Sequence, residues 1–162
     1  MHQANAQFDQ FPKSWEGNWK GELSWFKTGS TVPQKVSMEL SIHPADSAGC
    51  WTWQLIYGSE SQDNRPYLLI PKDSTGVHWV IDEKNGIILD QYLVDAHFAG
   101  SFTVMNSTIY NNYFLENGKL MVEFYSYTAK PISSTGHDTA ESPKVDSYRL
   151  GSYQKAILER IR

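Results

Sequence analysis

Arg65 and Tyr67 flank Pro66, and Tyr57 ends the apolar run that precedes them. The chain has only four arginines, so one placed between two tyrosines invites a chemical reading. Residues two apart share a face of any strand they occupy. A guanidinium and a phenol would then stand side by side, with the second phenol nearby. Turned into a pocket, such a trio holds a carboxylate through directional, charge-assisted hydrogen bonds. Turned outward, it is an ordinary surface pair. Pro66 has no N–H to give to a ladder, which predicts that Arg65 opens a strand at an edge or a rim.

Other chemistry-bearing residues are more scattered. His43, His78, His97 and His137 form no ligand-like pair, so no metal site is expected from their spacing. Asp82 and Glu83 precede the Asn85-Gly86 turn, and adjacent strand residues point to opposite faces, so this pair reads as solvation of a hairpin tip. Glu123 is the carboxylate that, with Arg65, best suits acid–base work inside a pocket. Cys50 is the single cysteine, which excludes an intrachain disulfide and a multi-thiolate zinc site. No nucleophile elbow, phosphate loop or zincin helix occurs. No catalytic residue and no cofactor is named by these patterns. Asn106-Ser107-Thr108 fits a glycosylation acceptor, which matters only in a eukaryotic secretory path.

These residues sit in a chain that reads as strands. Val36, Met38, Leu40 and Ile42 alternate with polar residues, and Trp51, Trp53, Leu55 and Tyr57 alternate with Thr52, Gln54 and Ile56. Further runs follow at 67–70, 78–81, 87–94, 98–104, 109–115, 120–127 and 148–157. Asn85-Gly86 and Asn117-Gly118 are hairpin turns, and Pro44–Gly49 and Pro71–Gly76 are longer ones. The polar, turn-rich stretch 131–144 reads as a mobile loop, while 156–162 fits either a helix or the tail of the last strand. About ten sequential strands must manage their edges, and closure removes them. The expected fold is all-β: an antiparallel up-and-down barrel, with a β-sandwich as the alternative. Residues 1–13 read as a leader and 14–162 as a single barrel domain.

The first strand carries the most specific signal, Trp15-Glu-Gly-Asn-Trp-Lys-Gly-Glu-Leu-Ser-Trp25. Trp15, Gly17, Trp19, Gly21, Leu23 and Trp25 fall on one face, and charged or polar residues on the other. Glycines there let the strand bend and let a neighbour approach, and Trp19 would plug one end. Gly17-Asn18-Trp19 resembles the Gly-x-Trp signature of the lipocalins and the wider calycin group. The resemblance implies a barrel around a small, largely apolar ligand, and an arginine late in the chain that packs across the tryptophan. Arg149 and Arg160 are the candidates, with Arg149 preferred. The Thr-Asp-Tyr motif and paired cysteines are missing. The strand count suits the fatty-acid-binding branch, although its Arg-x-Tyr pair is absent too. Gly17-x-Trp19-x-Gly21 is also similar to nitrobindin-like haem barrels, which need a proximal histidine that this chain does not supply near its end.

Composition narrows the partners. Six Trp and nine Tyr bring aromatics to 14%, an excess that suits strands and apolar pockets. A net charge of −4 with no Lys/Arg cluster speaks against nucleic acid, which is held by phosphate neutralisation. No apolar run approaches the ~20 residues of a membrane-spanning helix. Ala4-Asn5-Ala6 before Gln7 has the form of a signal-peptidase site and favours export, periplasmic or extracellular, over the cytoplasm. Oligomeric state stays open. The expected function is binding of an apolar or amphipathic small molecule, with a fatty-acid-like or aromatic carboxylate as the specific expectation, by Arg65, Tyr57, Tyr67, Trp51, Trp53, Trp79, Phe98 and Phe102. Gly21, Ala99, Gly100 and Ser101 would leave the room. The alternatives are an isomerase, cyclase or decarboxylase on the same barrel, a haem barrel, and a ligand-free structural barrel.

Overall fold

The computed structural model describes residues 10–162, so the Ala4–Ala6 pattern lies outside the described residues. After one 3-10 turn at Lys13–Trp15 the chain forms β1 (Gly17–Lys27), β2 (Gln34–Ile42), β3 (Trp51–Tyr57), β4 (Asp63–Pro71), β5 (His78–Asp82) and β6 (Ile88–Val94). It continues with β7 (His97–Val104), β8 (Ser107–Glu116), β9 (Lys119–Thr128), β10 (Ser133–Thr135), β11 (Val145–Ser147) and β12 (Leu150–Ile161). Ten of these close one antiparallel ring in the order β1-β12-β9-β8-β7-β6-β5-β4-β3-β2. A single closed ring rules out the two-sheet sandwich. The stretch expected to be a loop carries its own two-stranded hairpin, β10–β11, and the C-terminal tail is strand, paired with β1 as far as Ile161. Among the described residues no helix is long and apolar enough to cross a membrane.

Closure is made by the first strand. β1 pairs with β2 on one side and with β12 on the other along nearly its whole length. At Gly21 the neighbouring backbone comes so close that an added Cβ would lie 2.2 Å from the Ile157 carbonyl oxygen. Glycine is therefore needed for the crossing itself, and it opens no room in the interior.

Trp19 is almost completely buried at the foot of β1, and its Nε1 donates to the Trp15 carbonyl at 2.9 Å. The arginine that covers it is Arg160, not Arg149. Arg160 Cζ lies 4.5 Å from the centre of the Trp19 ring, and its Nη2 donates to the Ser14 carbonyl at 3.1 Å. Register explains the correction: Trp19 pairs with Arg160, whereas Arg149 precedes β12 at the opposite end of the barrel. Gly17 has φ +142°, and an added Cβ would meet the Arg160 side chain at 3.2–3.4 Å. The glycine of the Gly-x-Trp motif is thus where the arginine passes.

Aromatic rings fill this closed end. Phe11, from the end of the segment set apart as a leader, is buried against Trp15, Trp79 and Phe98 at centroid distances of 5.0, 5.3 and 4.7 Å. Trp15 itself sits in the 3-10 turn, ahead of the first strand.

Replacing Trp19 with Ala should destabilise the protein by about 3–5 kcal/mol, the usual cost of deleting a buried large aromatic. Arg160→Leu should cost less, about 1–2 kcal/mol, for one cation–π contact and one hydrogen bond. Urea unfolding followed by far-UV circular dichroism checks both, and Arg149→Leu should leave the midpoint unchanged.

Candidate binding cavity

Above the plug the barrel is hollow. A cavity of about 710 Å³ opens at the end opposite Trp19. That volume is in the range of sites that take drug-sized molecules. Its walls follow from strand alternation: Trp53, Leu55 and Tyr57 from β3, Asp63, Arg65 and Tyr67 from β4, and Leu89 and Gln91 from β6. Phe102, Ile109, Asn111, Tyr113 and Phe124 complete the far side.

Five of the residues expected to hold a ligand, Arg65, Tyr57, Tyr67, Trp53 and Phe102, do line this space. Trp51, Trp79 and Phe98 do not. Phe98 and Trp79 belong to the plug, where Phe11 contacts both, and Trp79 Nε1 is occupied by the Gly76 carbonyl at 2.9 Å. Trp51 packs against the core from the start of β3, beside Pro44. The alternation is right for all three, but they stand too low in the barrel. The small residues expected to make room do not make it either. Ala99 and Ser101 alternate with the inward Phe98, Gly100 and Phe102, and the space over Gly100 is filled by the Gln91 side chain, 2.3 Å from where a Cβ would stand.

The mouth is a balanced set of charges. Arg65 is the third residue of β4, not its first. Pro66 is tolerated because β4 pairs with β5 only from Leu68 onward, so nothing there needs its missing donor. Asp63, one pleat earlier on the same face, accepts from Arg65 Nε and Nη2, both at 2.8 Å. The guanidinium also covers the Tyr57 ring at 4.8 Å. A ligand carboxylate would therefore find the arginine fork already taken. Glu83 joins the same rim; it continues the inward alternation of Trp79 and Ile81, contrary to its expected place on a solvated tip. Asp82 does serve the turn, through a 2.8 Å bond from the Lys84 N–H. Lys35 reaches the rim while paired with Glu22 at 3.2 Å.

Protonation states at this end are fixed. The hydrogen bonds from Arg65 hold the Asp63 carboxyl below the usual range, and Asp63 in turn keeps Arg65 charged. Burial pushes Tyr57 up to about 12, with the Arg65 charge opposing it only partly. Burial also raises Tyr67, reinforced by the negative charge of Glu83, and raises Tyr113 further still. Each displaced group has moved away from neutrality, which is the wrong direction for acid–base catalysis near pH 7. Glu123 is no partner for them: it faces outward and accepts from the Tyr153 hydroxyl at 2.8 Å.

The innermost part of the cavity was not anticipated. Gln91 and Asn111 are buried on β6 and β8, on either side of Gly100. They exchange two hydrogen bonds, Asn111 Nδ2 to Gln91 Oε1 at 2.7 Å and Gln91 Nε2 to Asn111 Oδ1 at 3.2 Å. The signal was present: each interrupts an apolar inward face, Gln91 between Leu89 and Leu93, Asn111 between Ile109 and Tyr113. Trp53 lines the same cavity, with its Nε1 buried and without a hydrogen-bond partner. It approaches the Tyr113 hydroxyl closely enough to offset part of that phenol's upward shift, but not in hydrogen-bond geometry. A buried donor left in that condition costs about 1–3 kcal/mol.

None of the cavity-lining residues is a histidine, cysteine or methionine. His43, His78 and His97 are tied to Asn18, Asp90 and Asn112. An axial-histidine haem site therefore does not fit these residues. Among the described residues no cluster of His, Cys, Asp and Glu is arranged to hold a metal ion.

No family model matches this sequence, and no curated protein does. The fold is similar to the crystal structure of a protein of unknown function from the DUF3598 family of Nostoc punctiforme, with TM-score 0.65 at 16% identity. The match covers 92% of this chain and 48% of that one, so the chain spans about half the length of the protein it resembles. At that identity the likeness concerns the fold alone.

The buried phenols give an alkaline prediction. Above about pH 10 an unfolded tyrosine loses its proton, while folded Tyr57 keeps it to about 12. The unfolded chain then binds fewer protons than the folded one, so stability falls as pH rises through this window. Tyr57 alone should contribute roughly 3 kcal/mol of that loss. Tyrosinate absorbance should rise together with loss of near-ultraviolet dichroism, and Tyr57→Phe should make the decline shallower.

Proposed function

We propose that this barrel binds a small, uncharged, largely aromatic or amphipathic molecule in its open cavity. The observation that carries the reading is the 710 Å³ space itself, left open above a tightly filled plug and walled by aromatic and aliphatic side chains. A chain with this many bulky residues could have filled the ring throughout. Charge supports the choice of a neutral ligand. Arg65 is matched by Asp63, and Lys35 and Glu83 bring one further charge of each sign to the rim. The fatty-acid-like carboxylate suggested by Arg65, Tyr57 and Tyr67 would have to displace Asp63 or use the edge that Asp63 leaves. The Asp63–Arg65 pair is 39% and 44% exposed, so it costs little to keep and screens the mouth against anions.

Native mass spectrometry of protein purified from its source should show a retained neutral small molecule. Tryptophan emission should respond saturably to neutral polycyclic compounds, since Trp25 and Trp53 both line the cavity. Aromatic carboxylates should bind more weakly, and Asp63→Asn should raise their affinity about tenfold by freeing a charge-assisted hydrogen bond. A retained mass of zero together with silent emission across the whole set would remove the reading.

A further inference from the structure

At the inner end of the cavity, polar groups stand where the barrel itself makes no use of them. Trp53 is fully buried, and its Nε1 donor is unpartnered. Gln91 and Asn111 satisfy each other with one N–H and one carbonyl oxygen apiece. A primary amide has two N–H groups, so each keeps a second donor outside the pair. Both amides and Trp53 border the cavity, and so does Tyr113, whose hydroxyl burial keeps protonated. Each amide keeps an acceptor lone pair as well, but among the described residues the buried side-chain polar atom left without a partner is a donor, Trp53 Nε1. Charged residues on the wall, Asp63, Arg65, Lys35 and Glu83, belong to the mouth.

We infer that this inner end is a hydrogen-bonding subsite for a neutral acceptor oxygen, such as the carbonyl of an aromatic ketone, quinone, lactone or amide. The inference rests on the small-molecule reading above and adds the orientation: acceptor oxygen inward, apolar body toward Leu55, Phe102 and Phe124. An anion at the same place would pay full desolvation with no cation to meet it. A protonated amine has no lone pair with which to accept from the indole N–H. A neutral carbonyl satisfies the orphan indole N–H and leaves the amide pair intact.

The test uses the wild-type protein and a matched pair of probes, fluorene and 9-fluorenone, which share a ring skeleton and differ at the carbonyl. Affinities come from isothermal calorimetry, and the tryptophan indole N–H resonances are followed by ¹H–¹⁵N correlation spectra. The Trp53 resonance is identified by its loss in Trp53→Phe, or by sequential assignment of the wild-type chain where that variant does not fold. Fluorenone should bind about tenfold tighter than fluorene, and it alone should move the Trp53 indole proton downfield. Equal affinities with an unmoved Trp53 signal would overturn the inference while leaving the ligand-binding reading standing. Tighter fluorenone binding with an unmoved Trp53 signal would equally overturn the assignment of Trp53 as donor. Failure of both probes to bind, at concentrations up to their solubility, would overturn the reading and the inference together.

Discussion

A ring of ten strands exists only if its first and last strands find each other, and here the seam is a ten-pair antiparallel ladder between β1 and β12 capped at its lower end by one stack. The Arg160 guanidinium on the Trp19 ring ties β12 to β1, and its bond to the Ser14 carbonyl ties both to the turn that enters the barrel. Without the seam, β1 and β12 would each offer a long unpaired edge to other chains. Two glycines make the contact geometrically feasible: Gly17 gives Arg160 its path, and Gly21 lets β12 come within reach of β1. Trp19 then anchors the plug of rings, since its N–H holds Trp15 and Trp15 holds Phe11. Closure and floor are the same construction.

From that floor upward the interior changes character in order. Phe11 and Phe98 are rings in contact with rings; Trp53 follows at 5.3 Å from Phe98, and Tyr113 at 5.1 Å from Trp53. The amide pair lies at the inner end of the open space, and the charged rim ends it. Each layer is more polar than the one below, as expected where water reaches only from one side. The short β5 leaves the mouth-side residues of β4 without partners on that flank, and the Asp63–Arg65 pair occupies that stretch. A salt bridge between residues two apart on one strand holds both side chains against the wall, with no demand on neighbouring strands.

Strand alternation, turn residues and the Gly-x-Trp stretch were enough to read the barrel, because they are local and periodic. The same alternation put Trp53, Tyr57 and Phe102 on inward faces and Arg65 with Tyr67 on one shared face whose direction it left open; in the structure all five line the cavity. Height along the barrel axis was not legible. It depends on register between strands, which is why Trp51, Trp79 and Phe98 were expected around a ligand and are found below the cavity, and why Arg149 was preferred to Arg160. The role of Gly100 was equally hidden, since its partner is a glutamine on the neighbouring strand. Asp63 lies ahead of the apolar run that marks the strand in the sequence, and only the early start of β4 brings it onto the same face as Arg65.

Gln91 and Asn111 are the residues that stability alone does not explain. Two amides that satisfy each other inside an apolar barrel gain little over a pair of leucines of similar shape, since hydrogen bonds exchanged for those with water contribute only about 0.5–1.5 kcal/mol each. Burying them also requires Gly100 between them, a residue that weakens a strand by its own conformational freedom. Three positions on three adjacent strands are therefore committed to placing amide groups on the wall of a cavity that an unpartnered indole also lines. Phe98 and Phe102, immediately along β7 on either side of Gly100, show that the barrel accommodates large apolar side chains on that face. The amides are consequently a choice made at one height only, where the solid plug gives way to open space, and that is the height at which a bound molecule would present its inner end.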